Sequence, residues 1–121
     1  MNLYNLHSKP ETLDNFNNSL KVPDVAFKMV TSSLAKYEEK ADIRKAIDTI
    51  SKVPEMAYEY ALYNLRGKRF KKAEPAIMKH PEFAYKYAAD ILNKPWPEAE
   101  QYIKQDSKWW IRYNAFIKNK G

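Results

Sequence analysis

Apolar and small residues recur along this chain at helical spacing. Ala57, Tyr60, Ala61, Asn64 and Leu65 fall at i, i+3, i+4, i+7 and i+8, and Ala84, Tyr87, Ala88, Ile91 and Leu92 repeat the series. That spacing lines one face of a 3.6-residue helix and does not fit the alternation of a strand. The punctuation agrees. Pro23, Pro54 and Pro81 suit a first helical turn, where the missing N–H has no partner to lose. Each is followed by an acid (Asp24, Glu55, Glu82) at the positive end of the helix dipole. Gly67, after Arg66, stands where a left-handed C-terminal residue is wanted. Pro97 opens a further helix with Glu98 and Glu100 in its first turn. Pro75 lacks the donor a helix interior needs, so the helix after Phe70 is expected to begin near Lys72 or to kink.

The helices come in repeats. Val53-Pro54-Glu55-Met56-Ala57-Tyr58-Glu59-Tyr60-Ala61 returns as His80-Pro81-Glu82-Phe83-Ala84-Tyr85-Lys86-Tyr87-Ala88, a step of 27 from Pro54 to Pro81. Phe70-Lys71-Lys72-Ala73-Glu74-Pro75-Ala76-Ile77 returns as Trp96-Pro97-Glu98-Ala99-Glu100-Gln101-Tyr102-Ile103, a step of 26, so one residue is lost in the turn. Weaker copies lie upstream, with Val22-Pro23-Asp24-Val25-Ala26 and then Ile43, Ala46 and Ile50, and downstream, from Asp106 to Tyr113. The expected architecture is all-α: stacked antiparallel helix pairs forming an α-solenoid-like array of about three and a half units. Its expected bounds are a leader over 1–21, two-helix units over 22–52, 53–79 and 80–105, and a capping helix over 106–121, all within one domain, 1–121. Ala57/Ala61 and Ala84/Ala88 are expected to let a neighbouring helix approach closely. Trp110, in the alanine position of the last copy, is expected to cover the end of the core. In the leader, Leu13, Phe16 and Leu20 are spaced for a short helix after Pro10 that caps the first unit, with a disordered arm as the alternative for residues 1–9.

The Pro54–Ala61 segment and the segment Trp96-Pro97-Glu98-Ala99-Glu100 resemble a short helical repeat of proteins from large tailed bacteriophages and giant viruses. The match is strong over 53–105 and weaker over 22–52 and 106–121; the first unit and the Trp109-Trp110 doublet depart from it. The resemblance implies a viral, phage-encoded origin and a solenoid-like fold. It names no site.

Composition narrows the chemistry. The 121 residues make one domain's worth of chain, 45% hydrophobic and 30% charged. With no cysteine there is no thiolate nucleophile or cysteine-based zinc site, and two glycines cannot build a phosphate-cradling loop. His7 and His80 are too isolated to hold a metal. No stretch reaches the roughly 18 apolar residues of a membrane span, and none reads as an export signal, so a cytoplasmic protein without membrane contact is expected.

The net charge of +6 is unevenly spread: residues 1–52 carry eight Lys/Arg against seven Asp/Glu, and residues 53–121 carry thirteen against eight. Arg66, Lys68, Arg69, Lys71 and Lys72 crowd into one turn. They form either a phosphate-binding patch or a solvated turn whose cations offset a helix C-terminus. Lys68, Arg69, Lys71 and Lys72 are expected to be replaceable without loss of stability. Of the tyrosines, Tyr60 and Tyr87 fall on the inward face, Tyr58 and Tyr85 pack on an adjacent unit or line an outer groove, and Tyr63 is expected to be exposed. Glu74 and Glu100 are equivalent, as are Glu55 and Glu82, and repetition at fixed spacing points to complementing helix N-termini, not to acid–base chemistry. Neither an enzyme nor a cofactor is expected. The expected function is recognition of a host protein, with Tyr63 and the 66–72 cations as the binding residues; the alternative partner is RNA or DNA.

Overall fold

Prolines start the helices. In the computed structural model, which describes residues 18–120, the residues before Pro23, Pro54, Pro81 and Pro97 all leave the helical region: Val22, Val53 and His80 take extended backbone, and Trp96 lies at φ −123°, ψ 81°. Clash with the proline ring forces that conformation on the preceding residue and sets the first helical turn. No side chain caps any of these four ends.

The fold is all-α. In chain order come α1 (Pro23–Thr31), a 3₁₀ turn (Ala35–Tyr37), α2 (Lys40–Ile50), α3 (Pro54–Glu59), a 3₁₀ turn (Lys71–Ala73), α4 (Glu74–Met78), α5 (Pro81–Tyr87), α6 (Pro97–Ile103) and α7 (Ser107–Lys120); no strand occurs among the described residues. No described helix is long and apolar enough to cross a membrane. The chain divides into two compact units, one ending at Thr49 and the other beginning at Ile50.

In the first unit Leu20, Ala26, Val30 and Ala46 are buried. The Thr49 hydroxyl donates to the Leu20 carbonyl at 2.6 Å and joins α2 to the segment before α1. The rest of the expected leader, residues 1–17 with His7, Leu13 and Phe16, lies outside the described residues.

The second unit centres on α5, which packs against α3, α4, α6 and α7. Ala57, Ala61, Ala84 and Ala88 are fully buried, as expected of the inward face. Ile77 and Ile103 fill the same core, and burying a side chain of this size stabilises by roughly 1.5–3 kcal/mol. Pro75 lies in the first turn of α4, and a 3₁₀ turn absorbs the preceding residues, so the helix begins two residues later than Lys72. Trp110 is half-buried and stacks on Tyr113 at 5.7 Å between ring centroids.

Regular helical spacing breaks in two places. Both α3 and α5 widen into a π-helical turn, over Tyr60–Asn64 and Ala88–Leu92. The first closes with the Leu65 N–H on the Tyr60 carbonyl at 2.9 Å. Each widened turn runs into left-handed backbone: Arg66 (φ 56°) and Gly67 (φ 80°) after the first, Asn93 (φ 55°) after the second. At Gly67 a β-carbon would meet nothing within 4 Å, so the glycine serves the backbone angle and not the space.

Candidate binding site

The turn after Tyr60–Asn64 carries the cations and is anchored from beneath. Phe70 is the hub. Its ring packs on Tyr60 at 5.3 Å, while its backbone N–H donates to the Tyr87 hydroxyl at 2.8 Å. Tyr87 in turn donates to Glu74 Oε2 at 2.6 Å, and Arg69 grips both oxygens of Glu74 from Nε (2.9 Å) and Nη2 (2.7 Å). A tyrosine hydroxyl thus accepts one bond and donates another, joining the start of α4 to the end of α5.

The arrangement recurs 26 residues on. Trp96 packs its ring on Tyr87 at 5.2 Å and donates its N–H to the Tyr113 hydroxyl at 2.8 Å. Tyr113 donates to Glu100 Oε2 at 2.7 Å. Rings and hydrogen bonds alternate through Tyr60, Phe70, Tyr87, Trp96 and Tyr113. We call each tyrosine–glutamate pair with its amide a latch.

Electrostatics follow the geometry. Glu74 is 8% exposed. Burial pushes its carboxyl up, but hydrogen bonds from Arg69 and Tyr87 and the charges of Arg69 and Lys71 outweigh that and hold it below the ordinary carboxylate range. Tyr87 and Tyr113 are pushed well above the usual phenol range, first by burial and then by the carboxylate each one meets. The Glu74 bonds raise Arg69 further and keep it charged.

The five cations of the turn therefore divide. Arg66, Lys68, Lys71 and Lys72 are exposed on the turn, while Arg69 is committed to Glu74 and belongs to the framework as much as to the surface. Replacing Arg69 would leave a buried carboxylate without its cation, contrary to the expectation of an unchanged stability. Tyr63 projects from the same region at 72% exposure. A groove of about 310 Å³ beside the turn is lined by Arg69, Lys94, Trp96 and Glu98, among others. Lys94, from the turn after α5, brings a cation that the sequence cluster did not contain.

The remaining candidates lie apart. Tyr58 donates to Asp90 at 2.5 Å and packs on Phe83 at 5.9 Å, against the next helix as expected. Tyr85 packs on Trp109. Glu82 pairs with Lys86. Among the described residues no three His, Asp or Glu side chains gather to hold a metal.

Sequence reasoning missed the latch. Its signal is a separation of 13, from Glu74 to Tyr87 and from Glu100 to Tyr113. No protein-family model matches the chain, and no curated protein or solved structure is significantly similar to it.

Proposed function

We propose that this is a phage-encoded helical-repeat protein, built of about three and a half stacked helix pairs, that acts in the host cytoplasm by binding a host protein without catalysis. The recurrence of the latch at a step of 26 supports the repeat architecture. The binding reading rests on one observation: Tyr63, 72% exposed, stands in the widened turn Tyr60–Asn64, which leads directly into a segment of exposed cations pinned by Arg69, Glu74 and Tyr87. An exposed tyrosine on a fixed support offers a large contact area with little side-chain entropy to lose, the character of an interface anchor.

The test is retention from nuclease-treated host lysate on the immobilised chain. One discrete host protein should be retained, and Tyr63→Ala should weaken that binding by more than about 1 kcal/mol. Loss of every partner on nuclease treatment would overturn it. A nucleic-acid partner is the second reading, favoured by Lys94 reaching the groove beside the basic turn. On that reading Lys68→Gln, Lys71→Gln and Lys72→Gln lower the salt slope of binding by roughly 0.7–0.9 for each phosphate that is no longer neutralised.

A further inference from the structure

We propose a second binding site, in the groove between α5 and α7, for an acidic segment of a partner protein that carries an apolar anchor. It is independent of the Tyr63 surface. The groove has a volume of about 530 Å³ and is lined by Tyr85, Arg112, Ala115, Phe116 and Asn119. That size falls within the roughly 300–1,000 Å³ of ligand pockets. Four of the five lining residues lie on α7, at 112, 115, 116 and 119, a helical i, i+3, i+4, i+7 face, and Tyr85 supplies the opposite wall.

Charge chooses the occupant. At the Tyr85 wall stands Trp109, with its ring 5.8 Å from that of Tyr85. Three cations sit over the indole: Lys108 at 4.8 Å from the ring centroid, Arg112 at 5.2 Å and Lys86 at 5.7 Å. Such contacts hold long side chains in place without neutralising them. Glu82 offsets Lys86 at 2.8 Å. The Asp106 carboxylate accepts the Lys108 backbone N–H at the start of α7. Arg112 remains as the positive group lining the groove, beside an apolar floor of Ala115 and Phe116, and Lys108 shares the Trp109 ring with it.

A guanidinium placed over a ring keeps donors for a carboxylate fork. A nucleobase fits less well. Base stacking needs an open aromatic face, and the indole is already attended by three cations and a tyrosine ring. Carboxylates meeting Arg112 and Lys108, with an aliphatic side chain on Phe116, satisfy both halves of the groove.

The experiment is fluorescence anisotropy with three labelled probes: a short peptide of alternating glutamate and leucine, its lysine–leucine counterpart, and an oligothymidylate. The glutamate peptide should bind the whole chain, more weakly as salt rises. Arg112→Glu should weaken it at least about tenfold, or 1.4 kcal/mol, while Lys79→Glu, at an exposed cation in neither surface, should leave it unchanged. Arg112 is exposed, so the variant should keep the melting temperature of the parent, which is checked first. Lys108→Glu provides a second variant should that check fail. The proposal is overturned if the lysine peptide binds as tightly, if the oligothymidylate binds more tightly than the glutamate peptide, or if the folded variants bind the glutamate peptide unchanged.

Discussion

The two latches make the same pair of hydrogen bonds and differ in their surroundings. At the first, Glu74 is buried and Arg69 forks onto it; at the second, Glu100 is half-buried and Pro95 stands at the position equivalent to Arg69. A carboxylate taken out of water needs a cation, whereas one still in contact with water does not. The difference teaches why one repeat keeps an arginine there and the next dispenses with it.

The strongest way to break this comparison is to remove the hydroxyls. Tyr87→Phe leaves the Phe70 amide and a buried carboxylate both short of a partner, and should cost about 3 kcal/mol in urea unfolding. Tyr113→Phe should cost only about 1–2 kcal/mol, because water can reach Glu100. Equal costs would show that burial does not distinguish the two latches.

Acid titration sharpens the same point. The Glu74 carboxyl is lowered in the folded state, so its contribution is present above the unfolded value, about 4.3, and is lost as pH falls through the lower folded value. Arg69→Gln should move that acid transition, followed by circular dichroism, to higher pH. At the alkaline end the sign reverses. Tyr87 and Tyr113 are raised, so their contribution is intact below about pH 10 and is lost as pH rises through the folded values. An Arg69→Gln variant with an unmoved acid transition would remove the guanidinium from the account.

The smallest expected effect comes from transplanting the cation. Pro95→Arg offers Glu100 the partner that Glu74 has, but on an exposed turn. Such pairs are worth about 0–1 kcal/mol, and losing a proline costs a similar amount, so the net change should lie close to zero. A gain comparable to the cost of Tyr87→Phe would mean that Glu100 is as desolvated as Glu74.

Much of the fold is legible in the sequence because its signals are local. Proline followed by an acid marks α1, α3, α5 and α6, and helical spacing places Ala57, Ala61, Ala84 and Ala88 inside. Tyr63 reads as exposed because its counterpart in the next repeat is Asp90, and it is. The latch is not legible. Glu74 does lie in the first turn of α4, as helix N-terminal charge predicts, and that local reason conceals its bond to Tyr87 on another helix. Arg69 looks like one more cation of a turn, since a spacing of five across a 3₁₀ segment matches no regular helical pair. Nor can composition show that Lys86, Lys108 and Arg112 converge on one indole, because that depends on how α5 packs against α7.

The latch amides have a consequence for exchange with solvent. Phe70 and Trp96 stand just before helical segments, where a backbone N–H ordinarily trades its proton with water quickly. Here each is held by a phenolic oxygen. Their deuterium uptake therefore reports the separation of two helices, not the fraying of one. In the unaltered protein the two amides form a pair of clocks, and the Trp96 clock should run faster than that of Phe70. Their ratio measures how much more readily one helix contact opens than the other.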